Sequence, residues 1–325
     1  MLEPRVSILM ACYNGERFID RSFKSILAQT WPNIELVFID DGSTDNSLIK
    51  AKSYTSQFSQ RNYCLQIIHQ NNQGFCAAAA NAAKKATGKY LQLLDVDDMI
   101  MPDSCRMQAE FLEMNPNCNV VRTNGYIVPE GHLDLLTTPI EKHPETIKSN
   151  IFIDLIKGNI NNWAGAYMVR TSIHRKFYDT HIFPISRYGQ NLQFLLPQVV
   201  DSPSGFIDKP LFRYIRYSGS HSNQPSYEKQ MENLQGYWDI RRRMLKILAI
   251  TDNNIINICE ISYLRRAISI AIEFNRNAEY HSHYTELKRL KGINLELRTQ
   301  HSVRCRSIFQ YCLRLGLFIK NYIIK

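Results

Sequence analysis

Asp95 and Asp97 stand one residue apart at the end of the apolar run Tyr90-Leu91-Gln92-Leu93-Leu94. Alternate residues of an extended chain point the same way, so the two carboxylates converge. Hard oxygen donors of this kind suit Mg2+ or Mn2+, ions that keep open positions for phosphate oxygens. An ion held there can neutralise a diphosphate. The same residues can also form a solvated turn that caps a helix, but the very apolar strand in front favours the metal. A second cluster, Asp40-Asp41-Gly42-Ser43, closes another apolar run. An aspartate at a strand end can accept the N3–H of uracil, and a Gly-Ser turn lets backbone approach a ligand. An Asx turn followed by a helix cap fits these four residues equally well.

The elements that must carry these clusters alternate. Residues 6–11 are a short apolar run of β formers, a buried strand. Phe18, Ile19, Phe23, Ile26 and Leu27 follow at helical spacing, and Trp31-Pro32-Asn33 breaks the helix. Residues 34–39 are a second strand, and Ser43 or Thr44 is placed to cap the helix after it. Residues 65–68 are a third strand, Asn71 to Gly74 a loop, 75–86 an alanine-rich helix and 90–94 a fourth strand. This β-α-β-α-β-α-β order predicts an α/β fold with a parallel, doubly wound sheet, whose ligands bind beyond the carboxyl ends of its strands. The polar clusters Tyr13-Asn14, Asp40-Asp41, Asn71 to Gly74 and Asp95 to Asp98 all fall at those ends. Residues 102–219 are less regular, with one amphipathic helix at 104–114 and several short strands, one of them Tyr214-Ile215-Arg216-Tyr217. Beyond Pro225 the pattern is helical and basic.

The 325 residues are 44% hydrophobic and carry a net charge of +9. That balance points to anionic partners: nucleotide phosphates, lipid phosphates, an acidic membrane surface or nucleic acid. Nucleic acid is set aside, because no basic-aromatic strand pattern, zinc finger or helix-turn-helix is visible. The eight cysteines are scattered, none at CxxC or zinc-ligand spacing, and read as reduced core residues. The N-terminus reads as a strand, not a signal peptide, and no window is long and apolar enough to span a bilayer. The expected location is cytoplasmic.

Several runs in their order resemble family-2 glycosyltransferases: VSILMACYNGE at 6–16, SILAQTWPNIEL at 25–36, DDGSTD at 40–45, Asn72-Gln73-Gly74 with Asn81, Gly88-Lys89-Tyr90, and Asp95-Val96-Asp97-Asp98. The resemblance is strong over residues 4–120, fair to about 221 and absent beyond. It implies a GT-A fold (Rossmann-like, of the nucleotide-diphospho-sugar transferase type) and inversion at the anomeric carbon. The donor it implies is a nucleotide-diphosphate sugar, with uridine the favoured base. By the same resemblance Tyr13 stacks on the base, Asp40 bonds it, and Asp95 and Asp97 meet ribose, diphosphate and metal. The donor-binding set is Ala11, Tyr13, Asn14, Glu16, Asp40, Asp41, Gly74, Asn81, Asp95 and Val96. The metal set is Asp97, Asp95 and His221, with Mn2+ or Mg2+ as cofactor. Family members often have threonine at the position of Ala11 and arginine at that of Ala80.

The largest departure is Gln190-Asn191, where the family usually has Glu-Asp. That aspartate is the general base, and an amide accepts no proton at neutral pH. The catalytic set is therefore Asn191, Gln190 and Asp98, with Asp98, Asp201 and His221 as candidates for a substitute base. His221 lies in the late loop that closes over the diphosphate or touches the metal in family members. The amide leaves two functions open: transfer of one sugar into a surface polysaccharide such as O-antigen, capsule or exopolysaccharide, or a noncatalytic nucleotide-sugar-binding scaffold. No Gln-x-x-Arg-Trp motif of processive members is present.

The expected domains are a GT-A domain at 1–222, with a nucleotide half at 1–100 and an acceptor half at 101–222, and a helical basic extension at 223–325. Basic clusters occur at Arg241-Arg242-Arg243 and at Lys288-Arg289 with Lys291. Residues 303–325 form a basic amphipathic pattern that fits an anionic membrane. The resemblance adds a glycan acceptor linked to polyprenyl diphosphate, at the inner-membrane surface.

Overall fold

Strands β1 (Val6–Cys12) and β2 (Ile34–Asp40) are buried at every residue, as expected of strands covered by helices on both faces. The computed structural model describes residues 3–136, 138–140, 150–160, 162–182, 186–217 and 226–291. Helix α1 (Glu16–Leu27) turns Phe18, Ile19, Phe23 and Ile26 inward. Phe23 packs edge-on against Phe38, Tyr54 and Phe58, with ring centroids 5.2–5.6 Å apart. Truncating such a side chain to alanine costs about 3–5 kcal/mol. Two short helices, α2 (Ser47–Lys52) and α3 (Thr55–Gln60), lead into β3 (Cys64–His69). Helix α4 (Phe75–Lys85) lays its buried alanines on β1 and β2, and β4 (Tyr90–Leu93) follows. The order β3-β2-β1-β4 is parallel throughout, as the alternation predicts.

Beyond β4 the sheet is mixed. Short β5 (Met99–Ile100), helix α5 (Ser104–Met114), β6 (Val120–Pro129) and β7 (Thr138–Pro139) come next. Then follow α6 (Phe152–Lys157), β8 (Tyr167–Arg170), α7 (Thr171–Tyr178), α8 (Gln190–Val199) and β9 (Ser204–Arg216). The sheet continues β4-β8-β6-β9-β5, with β7 on β6. Strand β8 runs antiparallel to both neighbours, and β9 runs parallel to β6 across a bulge at Thr123 to Gly125.

The expected cap at Ser43 or Thr44 is not formed. The first free N–H of α2, that of Ser47, donates to Asp45 Oδ1 at 2.9 Å, while Ser43 and Thr44 bond across to Asn14.

Two compact units emerge. One comprises residues 1–223 with Gly236–Thr251, the other Gln224–Gln235 with Asp252–Lys325. Helix α9 (Tyr227–Ile247) contributes residues to both. In the second unit, α10 (Asn253–Glu273) starts at Asp252, whose carboxylate accepts the Asn254 N–H at 2.8 Å. It packs against α11 (Asn277–Lys291) through Leu264, Ile268 and Leu287. Within the basic cluster on α9, Arg241 is buried in the first unit, donating to the carbonyls of Leu155 and Tyr237. The described cysteines are all free thiols, as expected, and among the described residues no helix is long and apolar enough to cross a membrane. The basic stretch 303–325 lies outside the described residues.

Candidate active site

The carboxyl ends of β1, β2 and β3 lie side by side, because Cys12 pairs with Asp40 and Asp40 with His69, and β4 ends beside β1 where Leu93 pairs with Leu9. Beyond β1 the ring of Tyr13 is 54% exposed, and Ala11 is buried in the strand behind it. Asn14 and Glu16 latch this loop to the one after β2. The Asn14 N–H donates to Ser43 Oγ, and Asn14 Oδ1 accepts the Thr44 N–H at 2.8 Å. Glu16 Oε2 accepts the Asn46 N–H at 3.2 Å, and Gly15 N–H donates to Ser47 Oγ at 2.9 Å. Asn14 reaches a φ of 51° to do this, a conformation asparagine tolerates better than most residues. Both side chains therefore position the loop that carries Tyr13.

The two aspartates after β2 differ. Asp41 holds the next loop shut: its Oδ1 accepts Gln70 Nε2 at 2.7 Å and the Gln73 N–H at 2.9 Å, and its Oδ2 accepts the Gly74 N–H at 2.8 Å. Asn81, on α4, extends the chain by donating to Gln70 Oε1 at 2.7 Å. Gly42 has a φ of +76°, and a Cβ there would lie 2.8 Å from the Asn72 nitrogen, so only glycine fits this turn. Asp40 is fully buried. Its Oδ2 is 2.6 Å from His69 Nδ1, while its Oδ1 has no partner among the described residues. A buried acceptor left unpaired is costly, and a ligand donor such as an imide N–H would satisfy it.

Asp95, Asp97 and Asp98 bring three carboxylates within 4.8 Å of one another. Asp98 is buried and its Oδ1 accepts the Ile215 N–H of β9 at 2.9 Å. Asp97 takes a hydrogen bond from the Tyr217 hydroxyl. Its backbone carbonyl accepts Arg21 Nη2 at 2.6 Å. Asp95 Oδ1 is shut from solvent with no hydrogen-bond partner among the described residues. Burial first, and the neighbouring carboxylates second, push Asp95 and Asp98 above the usual carboxylate range. Three crowded carboxylates with an orphaned oxygen fit a hard divalent cation, which would supply the missing positive charge. Val96, between two of them, is partly buried against the core.

Gln190 and Asn191 open α8. Asn191 Oδ1 accepts the hydroxyl of Tyr167 at 2.8 Å. Tyr167 is buried on β8, and burial together with the Asp95 charge raises its hydroxyl well above the usual tyrosine range. It stays a donor, and it links the acidic cluster to α8. The Gln190 N–H bonds the Cys76 thiol on α4, and no acidic residue stands in the first turn of α8. Asp201 lies past the opposite end of α8 from Gln190 and Asn191, a ten-residue helix about 15 Å long. His221 lies outside the described residues. Tyr167, His69 and Gln70 are the site residues that sequence reading missed. His69 ends an apolar strand, a signal that could have been used; the Tyr167 contact had none.

Residues 7–177 match the family model described as Glycosyl transferase family 2. EpsE of Bacillus subtilis (strain 168), which carries a glycosyltransferase name, is 36% identical over 127 residues, 39% of this chain and 45% of that protein. The chain spans less than two thirds of the length of the curated relatives it matches. Among solved structures, S. aureus TarS 1-349 in complex with UDP-GlcNAc superposes with a TM-score of 0.63 at 17% identity, covering 99% of this chain and 95% of that one. The mannosyltransferase PcManGT from Pyrobaculum calidifontis, in complex with GDP-Man and Mn2+, gives 0.54 at 14% identity, covering 95% and 88%. At these identities the two structures establish a shared fold.

Proposed function

Since this chain belongs to glycosyl transferase family 2, we propose that it transfers a single sugar from a nucleotide-diphosphate donor to an acceptor hydroxyl of a bacterial surface polysaccharide. The donor is a UDP-hexose or UDP-N-acetylhexosamine. The acceptor is a glycan linked to polyprenyl diphosphate, met at the inner face of the membrane. One observation carries this reading. The unpartnered, buried oxygens of Asp40 and Asp95 belong to clusters on the same sheet edge, one suited to an imide N–H and the other to a cation.

In this reading Tyr13 offers its ring to the base and Asp40 accepts the base N–H, held by His69. Asp41, Gln70 and Asn81 keep the flanking loop in place. Asp95 and Asp97 would hold Mn2+ or Mg2+, which when bound supplies charge neutralisation at the diphosphate. The acceptor oxygen forms its bond to the anomeric carbon as the bond to the diphosphate oxygen breaks, and the electron pair leaves with the diphosphate. Asn191, whose carbonyl oxygen is taken by Tyr167, orients the acceptor oxygen through its amide N–H group. The proton falls to another group, and Asp98 is the carboxylate of the proposed catalytic set.

A second reading, a nucleotide-sugar-binding scaffold, is favoured by the missing carboxylate at 191. One experiment separates the two: assay transfer across a panel of UDP- and dTDP-sugars with Mn2+ and a polyprenyl-diphosphate-sugar mimic. Turnover with one donor is expected. Donor binding without turnover supports the scaffold, and absence of binding to every donor removes both.

A further inference from the structure

A cleft of about 500 Å³ opens between the loop before α4 and the loop before α8. Its lining includes Gly74, Cys76, Arg187, Tyr188, Gly236 and Arg243. None of the carboxylates of the acidic cluster lines it, nor does Asp40. The charge is positive on balance: two guanidiniums face a single acid, Asp239, which is 2.8 Å from Arg243 Nε. Helix α8, of 10 residues, begins at this cleft without a side-chain cap or an acid in its first turn, whereas the start of α4 is already met by the Asp41 carboxylate on the Gly74 N–H. The N-terminal partial charge of α8 reinforces the arginines. The Cys76 thiol, pushed up to about 11 mainly by burial, adds no negative charge.

The wall is held in shape. The Gln193 amide donates to the carbonyls of Ser186 and Tyr188 at 2.9 and 3.0 Å. The Cys76 thiol donates to the Arg187 carbonyl at 3.1 Å, and Arg187 Nη2 donates to the Tyr188 hydroxyl at 3.2 Å. The Tyr188 ring lies so close to α9 that a Cβ on Gly236 would come within 2.5 Å of it. A mid-helix glycine costs about 1 kcal/mol relative to alanine, so this close approach gives Gly236 a physical reason.

We propose that this cleft binds the phosphate group carried by the acceptor, placing the sugar attached to it beside Asn191 on α8. Guanidinium forks match phosphate oxygens in pairs, which a neutral glycan could not exploit. In the transferase reading the donor diphosphate lies at the acidic cluster, none of whose carboxylates lines this cleft. The proposal rests on the transferase reading above and names the chemistry of its acceptor.

The test is calorimetric titration of the full chain with inorganic pyrophosphate, in Mn2+ and saturating UDP. Pyrophosphate should bind while UDP is bound. The Arg187→Gln/Arg243→Gln variant should weaken it at least about tenfold, since both charge-assisted pairs are lost, with UDP affinity unchanged. Asp239→Asn, which removes the one acid, should tighten it. Displacement of pyrophosphate by UDP would overturn the proposal, because the cleft would then belong to the donor diphosphate. Equal pyrophosphate affinity in all variants, or no binding at all, would also overturn it. Failure to bind UDP together with arginine-dependent pyrophosphate binding would remove the donor reading and leave the anion subsite standing.

Discussion

Replacing Asp41 by asparagine tests whether this carboxylate works on the protein or on the ligand. Asp41 is buried and receives three donors: Gln70 Nε2 and the Gln73 N–H on one oxygen, the Gly74 N–H on the other. Asparagine keeps the shape but turns one oxygen into a donor. Its cheaper orientation keeps the pair on Oδ1 and sets its own NH2 against the Gly74 N–H. That leaves a buried donor unpaired, at about 1–3 kcal/mol. The two surviving bonds lose their charge assistance, about another 1 kcal/mol together. Asp41→Asn should thus destabilise the first unit by about 2–4 kcal/mol, which for a unit of this size lowers Tm by about 5–15 °C. The loop it holds flanks Asp40, so UDP affinity should fall several-fold in parallel. Thermal melts with and without UDP read both effects. A Tm within about 1 °C of wild type would refute the reasoning. So would a variant that keeps its Tm and loses UDP, which would show that Asp41 touches the nucleotide.

Three further outcomes are expected. Asn191→Asp should lower the transfer rate, because the Tyr167 hydroxyl still donates to one side-chain oxygen while the acceptor loses the amide N–H group that orients it; a higher rate would mean that the position simply lost its base. Asp97→Ala should remove, by more than about tenfold, the gain in UDP affinity between EDTA and Mn2+; an undiminished gain places the ion elsewhere. His174 stacks on Phe194 with centroids 4.5 Å apart, and burial, helped by Arg175, lowers its pKa from 6.5 to about 3. The unfolded chain takes up that proton first, so stability should drop as pH falls from 6.5 towards 3, at up to about 1.4 kcal/mol per pH unit. His174→Phe should flatten that part of a denaturation-versus-pH curve, and an unchanged curve would assign the acid sensitivity to other groups.

The parallel half of the fold was legible because its signals are local. Apolar runs such as 6–11 and 34–39 lead into polar clusters, and parallel α/β topology places those ends on one edge. The roles within the edge were less legible. Asn14 and Glu16 look like ligand residues in the sequence, but their side chains bond the next loop some 30 positions away, a pairing set by strand register. The tie from Tyr167 to Asn191 needs β8 inserted between β4 and β6, and no spacing rule shows that. Strands β6 and β9 are legible only in part, β9 towards its end in the run 214–217, because they mix charges with apolar residues and carry Gly125 and Pro210 within them. The basic run on α9 reads as surface charge, yet Arg241 is buried by bonds to two carbonyls.

The anchor of Asp98 bears on how the chain is made. Its partner, Ile215, lies 117 residues further along, on β9. The first three strands pair through short crossovers, so they can close soon after they leave the ribosome. Strand β9 must find β6 and β5 across long stretches of chain, which is slow. A nascent or clipped chain that stops before residue 204 therefore carries Asp40 and the loops around it with Asp98 still unanchored. In the proposed reading, the acidic cluster takes its final form late in synthesis, after the strand ends around Asp40 have been built.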